Sequence, residues 1–292
     1  MRPVIPLRRR LEKIRSESKL PWEGLERDYL FSWILSAMAA HETLGRQLVF
    51  KGGTCLKKCY FGRYRFSEDL DFTKLTDAPE GVDLEEALGK VCQQAESNLA
   101  SVGDVKLECS RYVEKEAHPH GQEAFIIRGQ MPWQSSPTTK VKIEITQGEE
   151  VLVSPQIRPL LHEYGDDFEG QILTYALEEI VAEKLRAILQ QLARAESRGW
   201  IRPRPRDYYD LWRILSTYPS LLSAPNFVEL LRQKCSAKGV DFVGPESFFP
   251  EIMIVEVEKS WSSWMRPLVG ELSSWAQVRS ELEPLVAQLV SG

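Results

Sequence analysis

Several features that would assign a function directly are absent from this 292-residue sequence. It contains only four histidines, and it has neither the G-x-S-x-G turn of a serine hydrolase nor the G-x-x-x-x-G-K-[ST] loop of a P-loop NTPase. No apolar run approaches the roughly 18 to 20 residues that a membrane span needs. These absences argue against a triad hydrolase, a P-loop enzyme and a membrane protein.

Cysteine is also scarce. The five cysteines are odd in number, scattered and without a C-x-x-C pair, a pattern typical of reduced thiols in the cytoplasm rather than of a disulfide framework. The N-terminus is basic, but it lacks the apolar segment and the cleavage site of a secretory signal. With 43% hydrophobic and 27% charged residues, we expect a soluble, globular, cytoplasmic protein.

A glycine turn directly follows the short apolar run 48–50, which we predict to be part of a buried strand. Consecutive glycines let the backbone approach a bulky anion closely, so that its amide groups can bind phosphate. Glycine pairs are also common in ordinary turns, so this motif alone is not specific. The candidate nucleotide-binding residues in the turn are Lys51, Gly52, Gly53 and Thr54.

Two aspartates, Asp69 and Asp71, follow the turn and are separated by one apolar residue. In an extended strand alternate side chains share a face, so both carboxylates would point the same way. Carboxylates held that close repel each other unless a cation lies between them, and Mg²⁺ favours such oxygen ligands together with substrate phosphates. An isolated Asp-x-Asp is more often a solvated strand edge. Together with the glycine turn, it predicts metal-dependent phosphoryl chemistry.

The order of the predicted elements divides the chain near residue 160. Helices are predicted over residues 22–47, 54–60 and 83–102, and strands over residues 48–51, 66–74, 105–114, 124–131 and 140–146. Residues 151–159 contain prolines and indicate a connection, after which residues 178–192, 207–215 and 227–290 are predicted to be helical. We therefore predict an α+β protein, with an α/β lobe at residues 1–160 and a helical lobe at residues 161–292.

Four motifs occur together and in a fixed order along the chain. They are Lys51-Gly52-Gly53-Thr54, Arg65-x-Ser67-x-Asp69-x-Asp71, Glu178-Glu179-x-x-Ala182-x-Lys184-x-x-Ala187 and Arg206-Asp207-x-x-Asp210-Leu211-Trp212. In that combination the chain resembles the AbiEii/AbiGii toxin family of nucleotidyltransferases, which includes the MenT toxins of mycobacteria. The resemblance spans roughly residues 25–215. The combined set is specific, whereas any single motif is not.

The resemblance implies a DNA-polymerase-β-like nucleotidyltransferase fold with a mixed sheet and a helical C-terminal lobe. Enzymes of this family move a nucleoside monophosphate from an NTP to RNA. Some add pyrimidines to the 3′ end of tRNA, which blocks aminoacylation and arrests growth. The implied cofactor is Mg²⁺ or Mn²⁺, the donor is an NTP, and the partners are tRNA or another RNA acceptor and a cognate antitoxin protein.

The resemblance also assigns roles to individual residues. Asp69 and Asp71 match the metal-binding pair of the family, and Lys184 and Asp207 match residues of its third and fourth motifs, so all four are expected to be catalytic. Lys184 would bind the NTP phosphates, although a structural ion pair is an alternative. Asp207 would orient Lys184 or the incoming base, or it would cap its helix.

Three further candidates depend on strand alternation and on charge. Glu144 alternates with isoleucines on a predicted strand and is the candidate third metal ligand, with a solvated strand acid as the alternative. Ser67 would share a strand face with Asp69 and bind phosphate, and phosphorylation at this position silences resembling toxins. Such a dianion would repel both carboxylates and triphosphate. Arg65 is a candidate phosphate contact that would equally suit RNA.

Two basic segments favour an RNA acceptor. Residues 1–20 carry seven Arg or Lys against two Glu, and residues 194–206 carry five Arg against one Glu together with Trp200. Arginines interleaved with an aromatic side chain suit a nucleic-acid backbone and its bases. Two alternatives stay open: transfer of a nucleoside monophosphate or a phosphate to a protein, and a module that binds NTP without catalysis.

Overall fold

The computed structural model describes residues 6–112 and 122–291, which form two compact units. The first unit runs to Val151 and takes up the chain again over Pro155–Tyr175, and the second comprises Leu152–Ser154 and the chain from Ala176 onward. The boundary predicted at residue 160 falls in the last segment of the first unit. Whether the two predicted lobes are separate domains stays a prediction.

The first unit is built on a mixed sheet. Its strands are β1 (Leu48–Lys51), β2 (Asp69–Lys74), β3 (Lys106–Tyr112), β4 (Gln122–Gln130), β5 (Thr139–Thr146), β6 (Gln156–Pro159) and β7 (Gln171–Thr174). They lie in the order β3-β4-β5-β2-β1-β7-β6. β2 is parallel to β5 and β1 is parallel to β7, whereas the other neighbours are antiparallel. This mixed sheet confirms the predicted α+β class.

Helices cover one face of this sheet. The first unit contains α1 (Leu7–Ser18), α2 (Trp22–Ala40), α3 (Leu44–Gln47), α4 (Gly52–Cys55) and α5 (Gly81–Leu99), and a π-helical turn, Leu56–Phe61, continues α4. α2 packs on β5, and α5 packs on β3 and β4. Leu70, Phe125 and Ile143 lie on this face of the sheet and are fully buried. Because side chains alternate along each strand, the intervening residues face away from α2 and α5.

The second unit is helical in the part of the chain that the structure describes. It contains α6 (Leu177–Arg198), α7 (Pro205–Thr217), α8 (Phe227–Ser236), α9 (Glu251–Met265) and α10 (Trp275–Ser291), with 3₁₀ turns at Pro219–Ser223 and Pro245–Phe248. A buried ion pair joins two of these helices, since the Lys234 ammonium lies 2.5 Å from the Glu179 carboxylate. Glu179 also accepts hydrogen bonds from the backbone N–H groups of Leu152 and Val153, which places that short segment in this unit.

The largest differences from the predicted element boundaries lie in the first unit. The helix predicted over residues 22–47 ends at Ala40, where His41 takes an extended conformation, and α3 follows. The strand predicted over residues 66–74 begins only at Asp69. The segment 151–159, predicted as a connection, ends in β6, which pairs with the unpredicted β7. A four-residue strand that contains proline has too little local signal to predict, and only its pairing defines it.

Two other predictions concern the edges of described segments. α6 extends beyond the predicted residue 192 to Arg198, and α7 begins at Pro205, so the basic segment 194–206 is helical at both ends. The last two residues of the strand predicted over residues 105–114 lie outside the described residues. No helix within residues 6–112 and 122–291 is both long and apolar enough to cross a membrane.

Candidate active site

The glycine turn lies directly against the second aspartate. Gly52 has a φ of 79°, in the left-handed region that residues with a side chain rarely adopt. A Cβ atom at Gly52 would meet the Asp71 carboxylate, and one at Gly53 would meet the Arg65 guanidinium. The conformation of Gly52 therefore favours glycine, whereas a side chain at Gly53 would require the Arg65 guanidinium to shift.

The two residues that flank the glycines are held by the protein. The Thr54 hydroxyl donates a hydrogen bond to the Asp69 carbonyl oxygen at 2.5 Å, which joins the start of α4 to the start of β2. Lys51 is buried, and its ammonium lies 3.5 Å from a Glu149 carboxylate oxygen and 5.4 Å from the centroid of the Tyr175 ring. Glu149 was not predicted as a site residue, because an acid in a polar segment carries no pattern of its own.

Asp69 and Asp71 are half-buried on β2 and share the sheet face that points away from α2 and α5. On the neighbouring parallel strand β5, Lys142 lies opposite Asp69, and Glu144 lies opposite Asp71. Glu144 therefore faces the same way as the aspartates, as strand alternation predicts. The Lys142 ammonium forms an ion pair with the Glu144 carboxylate, so a cation accompanies the acids on this face.

The acids on this face include oxygen ligands of the kind that a divalent metal requires. Within the described residues, no three His, Cys, Asp or Glu side chains are grouped as a metal site. Asp69 and Asp71 nevertheless supply two hard oxygen ligands on one face, which fits Mg²⁺, since this ion is usually bound through one or two carboxylates and substrate phosphates. To become a third ligand, Glu144 would have to exchange its ion pair with Lys142 for a bond to the metal.

Ser67 and Arg65 precede β2 rather than belong to it. Ser67 is half-buried in the irregular segment before the strand, so the shared-face argument made from the sequence does not apply to it. Arg65 is buried, donates a hydrogen bond to the Phe66 carbonyl oxygen at 3.0 Å, and lies 6.0 Å from the centroid of the Tyr64 ring. Its guanidinium thus lies against the glycine turn, beside the predicted phosphate-binding amides.

In the second unit, Lys184 on α6 and Asp207 on α7 lie together. The Lys184 ammonium is 3.0 Å from an Asp207 oxygen and 2.6 Å from an Asp210 oxygen. α7 begins at Pro205, and its preceding residue is Arg204, so Asp207 is not the cap residue of this helix. The ion pair fits the interpretation that Asp207 orients Lys184, and it equally fits the alternative of a structural ion pair.

Asp210 is the partner that the sequence reasoning passed over. Its side chain has no exposed surface, and its position three residues after Asp207 places both carboxylates on one helix face. That spacing was visible in the fourth motif and was the available signal. A buried carboxylate requires a charged partner, and Lys184 provides it.

The cysteines beside the glycine turn do not form a reactive pair. All five cysteines are free thiols, and Cys55 and Cys59 are buried. Burial, together with the neighbouring Cys59 thiol, raises the pKa of Cys55 well above its ordinary value. Cys55 therefore stays protonated at neutral pH, and these residues serve packing.

The basic segment near the end of α6 presents an exposed aromatic side chain. Trp200 is 57% exposed, and the Arg198 guanidinium lies 5.9 Å from the centroid of its ring. Arg202 makes a similar contact with Trp264 at 5.8 Å. Both pairs are cation–π contacts, and they keep arginine and tryptophan side by side at the surface of this unit.

The family model described as nucleotidyl transferase AbiEii toxin, type IV toxin–antitoxin system, matches residues 33–281 of the chain. The chain belongs to the AbiEii nucleotidyltransferase toxins. The AbiEii match spans the glycine turn, the two aspartates and the Lys184–Asp207 pair, and it confirms the predicted family. Membership implies an NTP as substrate and an antitoxin as partner.

The fold comparison agrees with this assignment. A solved structure of MenT4, a nucleotidyltransferase toxin from Mycobacterium tuberculosis H37Rv, is similar with a TM-score of 0.60 and 20% sequence identity, covering 98% of this chain and 89% of that chain. The AbiEii protein therefore has the MenT nucleotidyltransferase fold. A comparison with curated proteins gives no match.

Proposed function

We propose that this AbiEii toxin transfers a nucleoside monophosphate, from a pyrimidine NTP, to the 3′ end of tRNA in the cytoplasm and so blocks translation. The observation that carries the proposal is the contact between the glycine turn and the acid pair. Backbone amides suited to phosphate lie at Gly52, directly beside the Asp71 carboxylate. Transfer from a triphosphate requires phosphate-binding groups that lie in contact with hard oxygen ligands for a metal ion.

In this reaction the 3′-oxygen of the acceptor forms a bond to the α-phosphorus of the NTP, and pyrophosphate leaves. Asp69 and Asp71 would hold Mg²⁺ or Mn²⁺, which when bound neutralises charge on the triphosphate and favours ionisation of the 3′-hydroxyl. Glu144 is the proposed third ligand. The amides of Gly52 and Gly53 and the Arg65 guanidinium would orient the phosphates.

Other assignments belong to the same proposal. Lys51, Thr54 and Ser67 are proposed nucleotide contacts, although the Thr54 hydroxyl is already donated to Asp69. The catalytic roles proposed for Lys184 and Asp207 are supported by the motif match. The ion pair that links them is also what the structural alternative expects. Trp200 and its neighbouring arginines support an RNA acceptor, because base stacking and phosphate contacts commonly occur together.

The test is label transfer. Purified protein is incubated with Mg²⁺, total tRNA and each α-³²P-labelled NTP separately, beside an Asp69→Ala variant and a matched Asp77→Ala control from the exposed turn after β2. We expect label on tRNA from a pyrimidine NTP with the wild type and the Asp77→Ala control, and none with Asp69→Ala. Equal labelling by the Asp69→Ala variant would overturn the proposed site.

The two alternatives have their own outcomes in the same experiment. Label on a protein, with none on tRNA, would replace the acceptor and keep the acid pair as the reaction site. Nucleotide binding without label on any macromolecule would make the chain a non-catalytic NTP-binding module. A purine NTP as the only productive donor would overturn the proposed pyrimidine preference and leave the reaction class unchanged.

A further inference from the structure

The face of the sheet that carries the acid pair continues onto three more strands. On β3, β4 and β5 the even-numbered residues point away from α2 and α5, and we call these side chains the open sheet face. Its exposed members are Lys106, Glu108, Ser110, Tyr112, Arg128 and Lys140. Ile126, Lys142 and Glu144 are half-buried on the same face.

Strand register connects this face to the acid pair in a straight row. Tyr112 on β3 lies opposite Ala124 on β4, which lies opposite Glu144 on β5, which lies opposite Asp71 on β2. Neighbouring strands are about 4.8 Å apart, so Tyr112 lies about 14 Å from Asp71 along the row. Among the described strand residues of this row, Ala124 lies between Tyr112 and Glu144, and its side chain is a methyl group.

Tyr112 has the properties of a stacking platform. It is 45% exposed, although it belongs to an edge strand whose opposite face packs on α5. The Lys142 ammonium lies 5.3 Å from the centroid of its ring and forms an ion pair with Glu144. A cation therefore contacts both the ring and one of the acids on this face. An exposed aromatic ring beside a cation suits a nucleic-acid base and its phosphate.

The charges on this face also favour an anionic strand. Arg128 and Lys140 lie directly opposite each other on β4 and β5, and both are exposed. Like charges in this arrangement are destabilising. Glu108 lies opposite Arg128 on its other side and offsets one of the two charges. A phosphate at this point would offset the other.

We propose that the open sheet face binds the single-stranded 3′ end of the RNA acceptor. One base stacks on Tyr112, and the backbone phosphates contact Arg128 and Lys140. This assignment rests on the proposed transfer to RNA, and it adds the surface along which the acceptor strand reaches the acid pair. Because Tyr112 lies about 14 Å from Asp71, the stacked base precedes the reacting nucleotide in the strand. Stacking tolerates any base, so this contact adds affinity without sequence preference.

The experiment measures RNA binding by the full chain without NTP. Fluorescence anisotropy with a 5′-fluorescein single-stranded RNA ending in CCA gives the Kd of the wild type, Tyr112→Ala, Tyr112→Phe and Arg128→Glu. The matched controls are Ile157→Ala, an exposed apolar residue on the other edge strand, and Arg46→Glu, an exposed arginine of α3. Thermal melting confirms that each variant is folded.

We expect Tyr112→Ala to raise the Kd by about fivefold to a hundredfold, which corresponds to one stacked base, and Tyr112→Phe to restore binding. Arg128→Glu should weaken binding and reduce the salt dependence by about one counterion or more. Both controls should bind as the wild type does. These results together would support the acceptor path.

Unchanged Kd values for folded Tyr112→Ala and Arg128→Glu would overturn the acceptor path even if label reaches tRNA. Failure of the wild type to bind the RNA would also overturn it, and labelling of a protein instead would identify a different acceptor. Conversely, RNA binding that depends on Tyr112 and Arg128, with no label transferred from any NTP, would support this surface and overturn the proposed function. The two proposals can therefore fail separately.

Discussion

The Lys184 ammonium lies 2.6 Å from the carboxylate of Asp210, whose side chain is completely buried. Asp207, with 16% of its side chain exposed, is the second and more accessible partner at 3.0 Å. Two carboxylates on α7 thus fix the position of one lysine on α6. Of the two, Asp210 is the closer and the more deeply buried.

This arrangement predicts unequal effects of the two aspartates on stability. Asp210→Ala leaves a buried lysine with one partner fewer, and breaking a buried pair typically costs about 3–5 kcal/mol. Asp207→Ala should cost less, because its side chain is partly solvated. Urea unfolding measures both free energies, with Asp241→Ala as a matched control at an exposed aspartate. Equal losses for Asp207→Ala and Asp210→Ala would contradict this ranking.

The acid pair predicts a loss of activity when one charge is removed. Asp71→Asn keeps the shape of the side chain and removes the charge, so it should reduce label transfer and growth arrest to background. Thermal melting of the variant distinguishes this loss of activity from a loss of folded protein. Asp77→Asn, in the exposed turn after β2, is the matched control. Growth arrest by Asp71→Asn at the wild-type level would refute the role of the pair.

Gly52→Ala tests the contact between the turn and Asp71. The left-handed backbone of Gly52 costs a residue with a Cβ about 1–2 kcal/mol, and the added methyl group would meet the Asp71 carboxylate. We expect lower stability and a loss of label transfer that exceeds the loss of folded protein. Gly89→Ala, in α5 with open space around it, is the control and should be stabilising by up to about 1 kcal/mol. Full activity of Gly52→Ala would show that Asp71 can shift without consequence.

A buried charge cluster in the first unit predicts how stability depends on pH. Asp28 accepts hydrogen bonds from the Lys58 ammonium at 2.8 Å and from the Tyr164 hydroxyl at 2.7 Å, and the Lys57 ammonium is 4.0 Å away. Burial alone would raise the pKa of Asp28, but the two lysines and the hydrogen bonds outweigh it and lower the pKa below its ordinary value of 3.8.

A carboxylate whose pKa is lower in the folded state stabilises the fold above its unfolded pKa, and this contribution is lost as the pH falls through the folded pKa. We therefore expect Asp28→Asn to lower the free energy of unfolding at neutral pH, with the difference from the wild type shrinking below about pH 4. Denaturant unfolding across this range measures the difference, and Asp77→Asn serves as the control. A difference that stays constant down to about pH 3 would show that Asp28 is not held charged.

Much of the first unit followed from local spacing. Alternation in β2 and β5 correctly placed Asp69, Asp71 and Glu144 on one sheet face. The alternation argument was wrong for Ser67, because β2 begins only at Asp69. The residue at which a strand begins depends on where the neighbouring strand begins to pair with it. The helix over residues 22–47 was overextended for a similar reason, since the break at His41 leaves no proline or glycine signal at that point.

Residue spacing is sufficient to predict which side chains share a strand face or a helix face, because those relationships depend only on residues a few positions apart. Contacts between residues that are distant in the sequence cannot be predicted from residue spacing. Three such contacts depend on which segments meet when the core packs: Glu149 with Lys51, Asp210 with Lys184, and β6 with β7. No local pattern encodes such meetings, because burial of apolar surface is not directional and selects partners only when the whole unit has assembled.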